Sequence, residues 1–333
     1  MPEQPLVTVL TPVYNGEAFI CECIESVLNQ SYQNYEYIIL NNCSKDRTLE
    51  LASNYAKKDR RIRVHNSPKF VGVIENHNNA FQLMSRESKY CKVVSGDDWL
   101  FPHCITTMVD AAEANPSVGI FGSYQLSGCG SNGRQWDIKW THLPYPGTVI
   151  DGREISRSHL LGGPYVFGTP TSILYRSDIV REHAAFYPNP SAHADLSACY
   201  RALQKCNFGF IHQVLSYERV HDDRQTAKSD MLNRYLSHNI GDLLAYGPIY
   251  LTKEEVERRL KELLDDYYES LAIGAVNFRP KEYWTYHRDS LRQVGYPLSN
   301  LRLGQAISLK VLDLLLNPKR TCEILYRRAT HAG

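Results

Sequence analysis

Two adjacent acidic side chains, Asp97 and Asp98, carry the clearest chemical signal in this sequence. They follow the mostly apolar run from Tyr90 to Val94, which is typical of a buried strand. Open α/β sheets bind ligands beside the carboxyl ends of their strands. Mg²⁺ and Mn²⁺ prefer oxygen ligands and are often shared between carboxylates and a substrate's phosphates. The pair therefore suggests a site for a divalent cation and a diphosphate, although acids in a turn also often cap the next helix.

The elements around this motif are predicted to alternate between strands and helices. Apolar runs predict strands at 6–10, 35–40, 62–65 and 118–123, helical spacing predicts helices between them, and Asn15 is predicted to cap the first helix. Such alternation implies a mainly parallel sheet with helices on both faces. Periodicity fades from Leu126 to Leu161, which predicts an irregular segment. Its aromatic residues either pack internally or stack on sugar, and both readings stay open: Trp136, Trp140 and Tyr145.

The second part of the chain reads as helical, and we place a domain boundary between 1–226 and 227–333. Thr252 and Glu255 match a capping box, and an apolar stripe follows them at helical spacing. A further stripe over 309–328 mixes leucines with Lys and Arg residues. Packing against the catalytic domain is the commoner explanation for such a stripe. Three other roles stay open for this extension: completing an acceptor site, forming a homo-oligomer, or resting peripherally on a membrane.

Composition limits the classes of protein that fit. The 333 residues carry a formal net charge of +1, which gives no global attraction to nucleic acid, so we expect no nucleic-acid partner. The nine cysteines lack the spacing of a zinc site and fit reduced thiols. No segment is a secretory signal or a run of about 20 apolar residues. The expected location is the cytoplasm, with the inner face of the membrane as an alternative.

Several further motifs accompany the acidic pair in a fixed order along the chain. They are Thr11-Pro12-Val13-Tyr14-Asn15, Asn41-Asn42, Gly72 with Asn78, Gly168-Thr169-Pro170-Thr171-Ser172, Asp195 with Arg201, and Arg219-Val220-His221. This ordered set, over roughly residues 5–225, resembles the family 2 glycosyltransferases of GT-A fold. The resemblance implies an inverting enzyme that transfers a sugar from a nucleoside-diphosphate donor to a glycan or lipid-linked acceptor.

The resemblance also implies a role for each matching residue. Asp195 would be the catalytic base, and Asp98 would hold Mn²⁺ or Mg²⁺ together with His221. The donor would be held by Thr11, Pro12, Tyr14, Asn15, Asn41, Asn42, Asn78, Asp97 and Arg219. A uridine nucleotide is weakly favoured. In many relatives an aspartate accepts the ring N–H of the base, and an asparagine carbonyl can accept the same hydrogen bond, so uracil remains possible although charge no longer favours it.

Each assignment has an ordinary alternative. Asp195 could cap its helix, and Arg219 with His221 could belong to an exposed polar loop. The chain departs from the family at Asn41-Asn42, at Ser95-Gly96 and at His77. These departures leave room for an inactive nucleotide- or carbohydrate-binding protein of the same fold. A sugar nucleotidyltransferase is a third reading, but residues 10–16 lack the basic, glycine-rich loop that it needs.

Overall fold

The computed structural model describes residues 4–128, 136–141, 143, 147–189, 191, 193–221 and 232–317. Contacts divide the chain into two compact units, Met1–Ala227 and Lys228–Gly333. Tyr145 and the basic residues of the segment 318–333 lie outside the described residues.

The first unit is built on one mixed sheet. Its described strands are β1 (Val7–Val13), β2 (Tyr35–Asn41), β3 (Ile62–Asn66), β4 (Tyr90–Val93), β5 (Trp99–Leu100), β6 (Val118–Gly128), β7 (Trp136–Lys139), β8 (Val149–Ile150), β9 (Ile173–Arg176) and β10 (Asn207–Arg219). Their order is β3-β2-β1-β4-β9-β6-β10-β5, with β7 beside β6 and β8 beside β10. The four strands from β3 to β4 are parallel, as are β6 and β10, while β9 runs antiparallel between β4 and β6.

Helices cover this sheet and bury their apolar faces against it. They are α1 (Ile20–Leu28), α2 (Thr48–Ala56), α3 (Val73–Phe81), α4 (Cys104–Ala114), α5 (Gly152–Leu160), α6 (Ser177–Arg181) and α7 (Ala194–Ala202), with a 3₁₀ turn at Pro170–Ser172. α1, for example, buries Ile20, Ile24 and Val27 in the same core cluster as β1 and β2. This arrangement confirms the predicted α/β class with a mainly parallel sheet flanked by helices.

Two local predictions are wrong. Asn15 does not cap α1, because that helix begins at Ile20 and Asn15 sits in a left-handed turn with φ of 49°. The segment predicted to be irregular contains α5, whose N-cap Asp151 accepts backbone N–H bonds from Arg153 and Glu154. This helix is polar on average, so the spacing of its few apolar residues was too sparse to predict it.

The second unit is helical in its described part, with α8 (Tyr235–Tyr250), α9 (Lys253–Val276), α10 (Lys281–Gln293) and α11 (Asn300–Leu316). The predicted capping box is confirmed: Thr252 Oγ1 accepts the Glu255 N–H at 3.3 Å, and Glu255 Oε2 accepts the Thr252 N–H at 3.0 Å. Leu264 and Tyr267, on the predicted stripe of α9, are buried in this unit's own core. Among the described helices, none combines the length and apolar character needed to cross a bilayer.

Candidate active site

Asp97 and Asp98 lie in the tight turn between β4 and β5. The Asp98 N–H donates to the Ser95 carbonyl at 3.0 Å and closes this turn. Asp98 is buried, with 4% of its surface exposed, whereas the Asp97 side chain is partly exposed. One carboxylate is therefore held inside the protein while its neighbour faces outward.

Hydrogen bonds fix both oxygens of Asp98. Thr171 Oγ1 donates to Oδ2 at 2.6 Å, and the backbone N–H of Arg219 donates to Oδ1 at 3.1 Å. Burial raises the pKa of Asp98 well above its usual range, the charge of Asp97 raises it further, and these two hydrogen bonds oppose the shift. The site therefore holds two neighbouring acidic groups whose charges a cation would offset.

Arg219 and His221 lie beside the acidic pair and not in an exposed loop. His221 Nε2 is 3.0 Å from Asp97 Oδ2. The guanidinium of Arg219 donates through Nε to the Asp97 carbonyl at 3.2 Å and pairs with Glu22 at 2.5 Å. Its side chain is only 11% exposed. The structure thus joins two motifs that are more than 120 residues apart in the sequence.

Strand β10 brings the second motif to the first. It pairs antiparallel with β5, so that Tyr217 lies opposite Trp99 and their rings stack with centroids 3.7 Å apart. The Arg219 guanidinium lies 5.0 Å from the Trp99 ring and 4.6 Å from the Phe19 ring. Contacts with two aromatic rings therefore help to hold this cation in place.

Lys92 is a residue of the site that the sequence reading missed. It is fully buried in β4, and its Nζ donates to the carbonyl of Thr171 and, at 3.0 Å, to that of Ile173. Burial lowers its pKa. These bonds tie the 3₁₀ turn to β4, and Thr171 in turn holds Asp98. A single lysine inside an otherwise apolar strand was the available signal.

The predicted nucleotide-binding residues of β1 and the following turn differ in how far they are exposed to solvent. The Thr11 hydroxyl is buried 2.9 Å from the hydroxyl of Tyr37. Pro12 is a buried residue of β1. Tyr14 is 41% exposed and packs near Phe70, with centroids 4.8 Å apart.

Asn15 joins this turn to the loop after β2. Its Oδ1 accepts the Lys45 N–H at 2.9 Å, and its own N–H donates to Ser44 Oγ at 2.9 Å. Asn15, a predicted site residue, therefore holds two neighbouring loops together. Tyr14, next to it, presents an exposed ring.

The two asparagines after β2 have different surroundings. Asn42 exchanges two hydrogen bonds with the backbone of Val71, at 2.8 and 3.0 Å, so its amide holds the loop before α3. Asn41 donates to Asn66 Oδ1 at 2.6 Å, while its own Oδ1 is buried without a partner among the described residues. Of the pair, Asn41 is therefore the one with an unused acceptor.

Asn78 and Asp195 meet around Tyr187. The Asn78 amide exchanges hydrogen bonds of 3.0 and 2.9 Å with the backbone of Tyr187. Asp195 is the second residue of α7, whose N-cap is His193, and its Oδ1 accepts the backbone N–H of Leu196 at 2.9 Å in the first turn of this helix. Burial raises the pKa of Tyr187 and of Tyr175, and the negative charge of Asp195 adds to both shifts.

The side chains at the acidic turn are of the chemical types that bind a divalent cation. Asp97 and Asp98 supply carboxylate oxygens and His221 an imidazole nitrogen, a combination that suits Mn²⁺ or Mg²⁺. Within the part of the chain that the structure describes, no group of three or more acidic, His or Cys side chains is arranged to hold a metal ion, and this includes the set of Asp97, Asp98 and His221. Further ligands would then come from a bound diphosphate or water.

The acidic turn and the adjoining imidazole lie at the edge of the mixed sheet of an α/β protein. A family model described as Glycosyl transferase family 2 matches residues 8–184, which is more than half of the chain. The chain belongs to this family, and the resemblance read from its motifs is confirmed.

Two relatives show how far the likeness extends. An uncharacterized glycosyltransferase of Haemophilus influenzae is 29% identical over 296 residues, covering 81% of this chain and 88% of that protein. The uncharacterized glycosyltransferase EpsJ of Bacillus subtilis is 34% identical over 140 residues, covering 42% of this chain. The second match spans only 38% of EpsJ.

Solved structures share the fold. Residues 1–349 of S. aureus TarS, crystallised with UDP-GlcNAc, superpose with a TM-score of 0.63 at 16% identity, covering 98% of this chain and 92% of that one. The mannosyltransferase PcManGT of Pyrobaculum calidifontis, in complex with GDP-Man and Mn²⁺, gives 0.52 at 15% identity, covering 93% and 88%. At these identities the likeness concerns the fold alone.

The Thr171 hydroxyl provides a direct test of how Asp98 is held. Thr171→Val keeps the side-chain volume but removes the hydrogen bond to Asp98 and the acceptor of the Ser95 N–H. Glycosyl transfer should therefore fall by about tenfold or more, the effect of losing a bond to a charged group. Thr171→Ser keeps the hydroxyl and should stay close to wild type. Turnover measured for both purified variants decides the matter, and equal rates would contradict the role given to this hydroxyl.

Proposed function

We propose that this protein is an inverting, metal-dependent glycosyltransferase that moves a sugar from a nucleoside-diphosphate donor to a hydroxyl of a glycan or lipid-linked acceptor, in polysaccharide or glycoconjugate biosynthesis. The observation that carries the proposal is the group formed by Asp97, Asp98, Arg219 and His221 at the edge of the sheet. Family membership gives the reaction class, and the charges of this group match what a departing diphosphate requires.

Asp98 and His221, supported by Asp97, would hold Mn²⁺ or Mg²⁺. Such a cation, once bound, would offset the negative charge that grows on the diphosphate. Arg219 adds a fixed positive charge on the same side, because its guanidinium is locked between two rings and paired with Glu22.

Asp195 is the proposed base. As the acceptor oxygen forms its bond to the anomeric carbon, the bond from that carbon to the phosphate oxygen breaks and the diphosphate leaves with the electron pair. The hydroxyl proton passes to the Asp195 carboxylate. Attack from the face opposite the leaving group inverts the anomeric centre. The position of Asp195 in the first turn of α7 also favours its negative charge.

The donor's base is proposed to lie near Asn41. Its buried Oδ1 lacks a partner among the described residues and can accept a ring N–H, which uracil and guanine both offer. A uridine nucleotide remains the first choice, and the complexes of the two structural neighbours with UDP-GlcNAc and GDP-Man make both nucleotides worth testing. The proposed location is the cytoplasm, in line with the free thiols of the described cysteines.

A second candidate function is binding without turnover. Asn42 favours it, because this residue stands in a family position that is often acidic and its amide is used to hold Val71. Donor hydrolysis separates the two candidates, since a binding protein would be stabilised by the nucleotide sugar but would not consume it.

The donor can be identified by thermal stabilisation. UDP-GlcNAc and GDP-Man, each with Mn²⁺, should be compared with the corresponding nucleoside monophosphates. A true donor at about 100 times its dissociation constant should add about 2.7 kcal/mol to the free energy of unfolding. The monophosphates, which lack the diphosphate, should add much less. Equal effects of diphosphates and monophosphates would argue against the proposed metal–diphosphate site.

Asp195→Asn tests the base. It keeps the shape of the side chain but cannot accept the proton, so kcat should fall by about 10²–10⁴-fold while donor affinity stays unchanged. Asp178→Asn is the matched control, because Asp178 also lies in the first turn of a helix and should tolerate the change. Near-normal turnover of the Asp195 variant in a transfer assay would remove this assignment.

Removal of metal ions by a chelator and the substitution Asp98→Asn both test whether a cation takes part in the reaction. EDTA should abolish wild-type turnover and Mn²⁺ should restore it, while Asp98→Asn should raise the half-saturating Mn²⁺ concentration by about tenfold or more. Asp110→Asn, on the exposed side of α4, should behave like wild type. If wild-type turnover is equally fast in EDTA, the cation has no part in the reaction.

A further inference from the structure

Helix α11 exposes leucines instead of burying them. Leu301, Leu309, Leu312, Leu315 and Leu316 are between 50% and 75% exposed. None of the residues of this helix is buried. These five side chains therefore do not pack into a core, as such a stripe usually does. We call them the leucine face.

The leucine face is continuous and carries no charge. At 3.6 residues per turn the five leucines fall within an arc of about 120°, and the other residues in that arc are the uncharged Gln305 and Ser308. Leu303 and Ala306, outside the arc, pack against the core of the second unit. The helix is thus anchored by one side and presents the other to its surroundings.

Charged groups border the leucine face and are paired within the unit. Arg302 bonds Asp265 on α9 at 2.5 Å, and Lys310 lies 3.8 Å from Glu269. The rim therefore has little unpaired charge of its own. An exposed apolar patch of this kind, rimmed by polar groups, is typical of a surface that contacts a membrane or another protein.

The charges of the sequence after α11 indicate which partner binds the leucine face. Residues 318–333 contain Lys319, Arg320, Arg327 and Arg328 but only one acid, Glu323, a balance of four positive charges against one negative. Basic residues beside an apolar helical face match an anionic bilayer, into whose boundary region leucines insert while lysine and arginine meet the head groups. A second copy fits less well, because it would bring two such basic segments together.

We propose that the leucine face of α11 binds in the plane of an anionic membrane surface. This inference does not depend on the catalytic assignments. It concerns only the second unit, and a protein without transferase activity would show it equally.

Vesicle flotation of the full chain tests the proposal. The protein should float with vesicles of phosphatidylcholine and phosphatidylglycerol, less with phosphatidylcholine alone, and less at high salt. Leu312→Glu combined with Leu315→Glu should lower vesicle affinity by about tenfold or more, because charges replace inserted leucines. Phe278→Glu is the matched control, since Phe278 is 92% exposed in the same unit but lies outside the leucine face.

Three results would overturn the proposal. One is the absence of flotation with anionic vesicles. A second is equal flotation of the leucine double variant and the wild type, with unfolding temperatures showing that both are folded. A third is a dimer in light scattering that Leu312→Glu dissociates, since this would assign the face to a second copy. Arg327→Ala with Arg328→Ala should weaken binding to anionic vesicles and leave the weaker binding to neutral ones unchanged.

Discussion

The burial of Asp98 beside a second acid is the constraint on which the site depends. A carboxylate removed from water is stable only when its oxygens are hydrogen-bonded and its charge is offset. Thr171 and the Arg219 backbone satisfy the first requirement. The second is met only in part, because the Arg219 guanidinium pairs with Glu22 instead of Asp98. This remaining imbalance agrees with the raised pKa of Asp98, which burial and the charge of Asp97 cause.

The mixed sheet makes this arrangement possible. Antiparallel β9 between β4 and β6 brings the 3₁₀ turn with Thr171 against the end of β4, where Lys92 fastens it. The long β10 then carries Arg219 and His221 back to the same edge through its pairing with β5. Thr171, 73 residues from Asp98 in the sequence, and Arg219, 121 residues from it, thus meet at one carboxylate. Fixed groups of this kind need little rearrangement when charge develops during a reaction.

Features set by neighbouring residues could be predicted from the sequence, and features set by distant ones could not. The strand before Asp97, the capping box at Thr252 and the start of the helix at Asp195 all follow from local pattern. Asn42 and Asn78 were predicted from the sequence to contact the ligand. In the structure the amide of Asn42 holds backbone 29 residues away, and that of Asn78 holds backbone 109 residues away. Such bonds depend on topology that periodicity does not encode. The ordered motifs predicted the family because they are spread along most of the first unit.

The aromatic residues around β10 show that packing and ligand binding need not exclude each other. Trp136 meets Tyr217 edge-on at 5.5 Å, and Tyr217 in turn stacks on Trp99 beside Arg219. Trp136 nevertheless remains 54% exposed. A ring held on one side by packing has lost its freedom before any ligand arrives, so a sugar stacking on its open surface would cost less entropy. The same row of rings that packs against Arg219 therefore ends in an exposed indole that is already held by a ring contact.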